Sequence, residues 1–420
     1  MRRRTLLAVL LLLIGAFAFM AAGCGGDDDE GEAGGTGTEA GGEAQTVKIV
    51  SDLPLQGSSA AQTESMNNAI QLYLQDIGNK VGNYTIEFEA FDDSTAAKGA
   101  WDEATCAANA RKYVEDESII GVIGTFNSGC AKIEVPIANE ASLAMVSPAN
   151  TATGLTHEGP GAESGEPDKY YPTGVRNYAR VVTSDDVQGQ IGAQYMQETL
   201  GCTSMYILDD KDAYGKGVAD AFESAAGDLG LEVAGHEGWD ANASNYKALF
   251  TKIKGSGADC LYIGGISCFN GGQLMKDKVA TWGDNEEIQT LVSDGFVLQS
   301  LFEEAGEENV EGAYGTAPTL NPDDLPGEGA AFIEKYSAQY GAPEVYTAYA
   351  VGALQVILAA LEASDGTREG VTEQLFQVST DTVIGPISFD ENGDPAEKFE
   401  SVFQGKGGAW TFVEQVAAAQ

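Results

Sequence analysis

The chain has 420 residues, with 64 Asp and Glu against 23 Lys and Arg and a formal net charge of −41. That balance excludes nucleic acid as a partner, since phosphate binding needs clustered Lys and Arg. Two His and no CxxC spacing give no support to a metal site, and no GxxxxGK(S/T) loop is present for ATP hydrolysis.

The chain opens on Met1-Arg2-Arg3-Arg4, an apolar run over 6–18, and Ala21-Ala22-Gly23-Cys24. A basic start, a short apolar stretch and small residues before a break read as an export signal, 1–23. The run is shorter than the roughly 20 residues of a membrane span. Small residues directly before Cys24 resemble a bacterial lipobox, in which the Cys takes a lipid and becomes the new N-terminus. The expected location is therefore extracytoplasmic, anchored to the cell membrane by a lipidated Cys24. Residues 25–45 contain seven acids, many Gly, no base and no apolar side chain larger than Ala. They cannot bury enough surface to fold, so 24–45 reads as the lipidated Cys and a flexible acidic tether.

The body from Thr46 onward exceeds the size at which one core usually divides into two. It alternates β-rich runs with helical patterns. A strand at 47–51 is followed by Met66, Ala69, Ile70, Tyr73, Leu74 and Ile77, the spacing of one helix face. A strand at 84–91, a helix over 96–115, a strand at 119–123, a helix over 131–140 and a strand at 144–147 come next. After a Gly-, Glu- and Pro-rich loop at 158–174 the pattern restarts. Strands at 205–208, 231–234, 261–263 and 290–292 alternate with helices over 186–199, 216–229, 245–255 and 270–279. Helices over 328–340 and 346–363 and short strands at 387–389 and 410–413 close the chain. The expected class is α/β, with two doubly wound parallel-sheet lobes and a cleft between them. In such sheets, ligands bind off the carboxyl ends of the strands.

Several stretches match one family in order: GTFNSG at 124–129, SPANT at 147–151, LDDKDAYG at 208–215, YIGG at 262–265, VSDG at 292–295, TVIGP at 382–386 and FDENGD at 389–394. The set resembles the type I periplasmic binding proteins of the leucine/isoleucine/valine-binding kind. The resemblance implies two lobes joined by a three-strand hinge, with crossings near 176–184, 314–320 and 387–396. Lobe I is then 46–178 plus 318–388, and lobe II is 179–317 plus 389–420. It also implies an ABC importer as partner through its permease subunits, a monomer, no cofactor and hinge closure on a small solute.

A zwitterionic ligand needs donors for its carboxylate and an acid for its ammonium. Ser128 and Gly129 lie at the start of a helix, where unpaired N–H groups favour an anion. Ala149, Asn150 and Thr151 form the next strand-end loop, and in similar proteins these two loops hold the ligand carboxylate. Where the family often has a hydroxyl, this chain has Gly129, which offers only its N–H. Asp294 matches the acid that receives the ligand ammonium. Tyr214 is expected to cover the ligand from lobe II. Ile266 replaces an aromatic common after the Gly-Gly pair, and Glu344 falls where branched-chain binders often present an apolar residue. Leu53, Leu55 and Gln62 approach from the first strand–helix loop. An amino acid of branched-chain or related type is the first expectation. An amide, a urea-like solute or an organic acid is the alternative.

Five Cys follow Cys24. Cys202 and Cys260 each precede neighbouring strands, and Cys106 and Cys130 join a helix to the following loop, so these are the expected disulfide pairs, with Cys268 left over. The sequence itself does not fix that connectivity. Two other functions compete with this reading. No nucleophile–base set stands out, so the chain is not expected to be an enzyme. A ligand-sensing receptor component would share the fold, so fold alone does not separate sensing from transport.

Overall fold

The computed structural model describes residues 45–418. The expected export signal, Cys24 and nearly all of the expected tether lie outside the described residues. Two large sheets carry the architecture. The first runs in the order Lys80–Val81, Tyr84–Asp92, Gln45–Leu53, Ile119–Gly124, Ala144–Ser147 and Tyr178–Arg180. It is parallel apart from the edge pair Lys80–Val81 with Tyr84–Asp92. The second runs Glu232–Gly238, Ser204–Asp209, Cys260–Gly264, Gln289–Val292, Tyr314–Ala317, Phe399–Lys406 and Ala409–Ala417. Its last two strands are antiparallel.

The strand IIGVIG at Ile119–Gly124 is buried throughout. A strand covered on both faces reads as a continuous apolar run, as here. One of its covers is the helix Thr347–Ala363, which packs on Ala60–Asp76 and buries thirteen of its seventeen residues. A Cβ on Gly121 would lie 2.7 Å from Ile357 Cγ2, so this glycine sets the distance between helix and sheet. The disulfide Cys106–Cys130 joins the helix Glu103–Glu115 to Ser128–Glu140, and Cys202–Cys260 joins the amino-terminal starts of the neighbouring strands Ser204–Asp209 and Cys260–Gly264. Each is worth about 2–4 kcal/mol in chain entropy of the unfolded state.

The tertiary structure departs from the sequence pattern at several places. The helix expected over 96–115 begins only at Glu103, because Asp102 caps it through the N–H groups of Ala104 and Thr105 at 3.1 Å each. The preceding residues form a hairpin of Ser94–Thr95 with Ala100–Trp101. Three strands carried no strand pattern of their own: Tyr178–Arg180, Tyr314–Ala317 and Phe399–Lys406. The strand expected at 387–389 overlaps Gly385–Ser388, which pairs with Ser379–Thr382 outside both large sheets. The boundary expected at 178/179 falls inside Tyr178–Arg180, and the chain after 388 joins the second sheet only at Phe399.

Three crossings connect the sheets, at 181–184, after Ala317 and before Phe399. Buried polar contacts lock the first to the third. Arg180 Nε donates to Asp394 Oδ1 at 2.6 Å, and its other nitrogens donate to Ala152 O at 2.9 Å and Thr156 Oγ1 at 2.6 Å. Thr183 Oγ1 donates to Phe399 O at 2.9 Å. His157 lies 2.8 Å from Asp394 Oδ2 and 3.2 Å from Asp186 Oδ2, the latter on the first helix of the second lobe. Burial opposes the charge on His157, but its two carboxylate partners outweigh burial and hold its pKa up at about 9.

This raised pKa makes the crossing pH-sensitive with a definite sign. The stabilisation is complete below the ordinary His value of 6.5 and is lost as pH climbs through about 9. His157→Gln is expected to cost about 1–2 kcal/mol at pH 7, after allowing for solvent around a partly exposed ring. Urea denaturation at pH 7 and pH 10 checks it: the two midpoints should differ at pH 7 and converge by pH 10.

Candidate functional site

The parallel strands of both lobes point their carboxyl ends at one cleft. Ile119–Gly124 leads into Thr125-Phe126-Asn127, and Ala144–Ser147 leads into Pro148-Ala149-Asn150-Thr151. From the second lobe, Cys260–Gly264 leads to Ile266, and Gln289–Val292 leads to the short turn Asp294–Phe296. The space between the lobes there, counted out to where it opens to solvent, is about 330 Å³. Phe126, Asn127, Ser128, Ala149, Thr151 and Tyr346 line one side, and Tyr214, Ile266, Asp294 and Gly295 line the other. A larger hollow, about 1100 Å³ counted in the same way, is framed by the three crossings and includes Val181, Leu320 and Phe399. It lacks the convergence of strand ends that the cleft has.

The first-lobe loops are held by their own side chains. Ser147 Oγ donates to Thr125 O at 2.8 Å and accepts from Asn150 N at 2.8 Å. Asn150 Nδ2 donates to Phe126 O at 2.9 Å, while its Oδ1 accepts from Tyr178 OH at 3.2 Å. Thr125 Oγ1 donates to Asn127 O at 2.7 Å. The helix Ser128–Glu140 starts at the cleft, and the N–H groups of a first helical turn have no intrahelical acceptor. This edge is therefore rich in donors.

The opposite edge is acidic. Asp294 is buried, which pushes its pKa up, and three donors oppose that shift. Tyr214 OH and Gln188 Nε2 donate to Oδ1, the latter at 3.0 Å, and Tyr346 OH donates to Oδ2 at 2.6 Å. Tyr346 stands immediately before the first-lobe helix Thr347–Ala363, so its hydroxyl bridges the cleft. Its ring also meets Phe126 edge-on, with centroids 6.0 Å apart.

Six of the eight ligand-contacting residues expected from the sequence line the cleft: Ser128, Ala149, Thr151, Tyr214, Ile266 and Asp294. Asn150 stands behind it, tying the two loops together. Gly129 also stands back, and its Cβ-less position has a packing cause. A Cβ there would lie 2.3 Å from Trp101 Cζ2. Trp101 packs with the Cys106–Cys130 bridge and fills the space a side chain would need. Leu53 and Gln62 are buried in the first lobe and do not reach the cleft. Glu344 lines a separate interlobe hollow beside Trp410 and Phe412. Sequence reasoning missed Phe126, Asn127, Gly295 and Tyr346. The first three are neighbours of residues it singled out, while Tyr346 is far away in sequence and was read only as the start of a helix.

Among the described residues Cys268 has no disulfide partner; it is half-buried beside Tyr214 and Ile266, and burial pushes its thiol pKa above the ordinary range. Asp220, Glu223 and His236 bring ligand atoms within 4.8 Å of one another away from the cleft. There His236 already pairs with Glu223 at 2.8 Å and Asp209 at 3.3 Å.

A family model described as "Periplasmic binding protein" matches residues 46–409. A Leu/Ile/Val-binding protein homolog of Brucella abortus is 29% identical over 349 residues, covering 82% of this chain and 86% of that one. A leucine-, isoleucine-, valine-, threonine- and alanine-binding protein of Pseudomonas aeruginosa is 26% identical over 356 residues, with 84% and 87% covered. A leucine-binding protein of Thermotoga maritima superposes with a TM-score of 0.76 at 24% identity, covering 88% of this chain and 99% of that one. A solute-binding protein from R. palustris in complex with benzoate superposes at 0.74 and 21% identity, with 89% and 97% covered.

The packing of Trp101 gives a direct test. Gly129→Ser should destabilise the fold by about 1–3 kcal/mol through overpacking. Paired with Trp101→Ala, the same substitution should cost less than it does alone. A double-mutant cycle in urea measures that coupling.

Proposed function

This chain belongs to the periplasmic binding protein family, and we propose that it is the extracytoplasmic solute-binding component of an ABC importer that captures an amino acid between its lobes. The observation that carries the reading is the polarity of the cleft. A buried, hydrogen-bonded carboxylate at Asp294 faces a helix start and two hydroxyls, Ser128 and Thr151. A zwitterion matches both edges. Its carboxylate takes the hydroxyls and the N–H groups of the first turn of Ser128–Glu140, and its ammonium takes Asp294.

Binding of this kind favours closure, because the ligand bridges groups carried on different sheets. Tyr214 and Ile266 cover the ligand from the second lobe, and Tyr346 reaches across from the first. Closure is what a permease would read as the loaded state. A lipid on Cys24 would keep the protein near that permease, with 25–45 as the tether.

The named relatives bind branched-chain and small amino acids, which supports an amino acid here. The benzoate complex of one structural neighbour supports a second reading, an aromatic acid held among Phe126, Tyr214 and Tyr346. That ligand satisfies the donor edge but brings no donor for Asp294. A buried carboxylate facing a second anion is costly, which favours the zwitterion.

Thermal unfolding of the purified protein against amino acids, amides, urea and benzoates at fixed salt tests the proposal. A ligand at about 100 times its Kd should stabilise by roughly 2.7 kcal/mol. Asp294→Asn should abolish the response to amino acids while leaving the protein folded. A shift with benzoates and none with amino acids would overturn the zwitterion reading.

A further inference from the structure

The segment 157–171 belongs to the first lobe by connectivity, since it runs between Ala144–Ser147 and Tyr178–Arg180, both strands of the first sheet. Its composition is that of a plain loop, yet it is built around one buried acid, Glu166. Lys132 Nζ lies 2.9 Å from Glu166 Oε1, and the Tyr170 hydroxyl donates to the same oxygen. The N–H of Glu163 donates to Glu166 Oε2 at 2.8 Å. A Cβ on Gly154 would fall 1.7 Å from that oxygen, so glycine is what leaves room for it. The Tyr171 hydroxyl ties the base of the loop to Leu155 O at 2.6 Å. Lys132 stands on Ser128–Glu140, one helical turn beyond Ser128 at the cleft.

The tip of the segment reaches the other lobe. Gly161, with φ +84°, lies against the helix Ala213–Asp228, which follows the second-sheet strand Ser204–Asp209. A Cβ on Gly161 would fall 2.4 Å from Gly217 O and 3.5 Å from Ala221 Cβ. A Cβ on Gly217 would fall 3.3 Å from Gly161 O. The two backbones therefore meet with no side chain between them. Gly217 is buried, one turn beyond Tyr214, which lines the cleft from the second lobe.

Glycine inside a helix is less favourable than alanine. Gly215 on the same helix is required within its own lobe, where a Cβ would fall 2.2 Å from Asp210 Oδ1. Gly217 has no such cause. Outside its own helix, the other described atom within 4 Å of its Cβ is Asp185 Oδ2, at an ordinary 3.9 Å. What calls for glycine at 217 is the approach of the first lobe.

We propose that 157–171 is a spacer between the lobes, with Glu166 and Gly217 as positioning residues. Glu166 ties the segment to the helix that starts at Ser128, and Gly217 seats its tip on the helix that carries Tyr214. Together they fix the width of the gap a solute must fill. This rests on reading the cleft as the solute site and adds the residues that set its width. A side chain at 217 acts as a wedge, because the anchored segment cannot retreat, and a ligand that touches both lobes loses contact as they part.

Two measurements on the full chain test this. The first needs no ligand. Gly161→Cys with Ala221→Cys places Cβ atoms 3.5 Å apart, within disulfide range. Mild oxidation should join them in most chains, read by peptide mapping without reductant. Unlinked thiols at 161 and 221 in a folded protein would overturn the spacer. The second is a size series at the seat, titrated calorimetrically with L-leucine. Gly217→Ala should weaken binding about threefold and Gly217→Leu by roughly tenfold or more. The unfolding midpoint of unliganded Gly217→Ala should stay level or rise, since alanine suits a helix. Wild-type affinity in both variants would overturn the spacer, as would a fall in the Gly217→Ala midpoint that tracks its loss of affinity. A folded wild type that L-leucine does not bind would count against the amino-acid reading alone, and the cross-link then decides the spacer.

Discussion

The buried pair of Arg180 and Asp394 is the contact on which the two-lobed arrangement depends. Both residues are fully buried, one at the first crossing and one at the third. Taking two charges out of water costs several kcal/mol each, and a buried pair persists only when its remaining hydrogen bonds are filled. Here they are. The guanidinium reaches Asn150 O, Ala152 O and Thr156 Oγ1, and the carboxylate also takes His157 and Thr156. The turn that presents Asp394 needs Gly393, whose φ is +92° and where a Cβ would fall 2.5 Å from Tyr178 O. The Gly393 carbonyl then accepts from Arg180 N at 3.0 Å. One loop and one strand end thus fix each other, and the sheets they belong to inherit that geometry.

From this lock the cleft follows. Asn150, bonded to Phe126 and Tyr178, and Asp185, bonded to Thr151, are neighbours of the residues that Arg180 organises. The donor edge of the first lobe is held opposite the acidic edge of the second at a distance Tyr346 can bridge.

The small apolar cluster behind the first loop is a second fixed point. Trp101, Cys106 and Cys130 pack where the loop turns into the helix Ser128–Glu140. That packing accounts for Gly129, which on sequence grounds stood out as a missing hydroxyl. The cost of that glycine is one donor at the site. What it allows is a close approach of helix and indole, which holds the helix start in place.

Much of this was legible in the residues. Strand–helix alternation gave the α/β class, because a parallel sheet covered on both faces needs continuous apolar runs such as Ile119–Gly124. The Asp294, Thr151 and Ser128 positions were legible from ordered motifs, since strand ends must carry the turn chemistry that points a side chain into a cleft. The strands at 178–180 and 314–317 were not, being three and four residues long. They exist through pairing, and pairing partners far apart in sequence leave no periodic trace. The same holds for Tyr346, whose role depends on a helix returning across the cleft. Local pattern determined the elements and the kind of chemistry available, and raised the expectation of an export signal. Which acids meet, which glycine is forced and which tyrosine spans the cleft were decided by the tertiary structure, because burial and long-range contact set those choices.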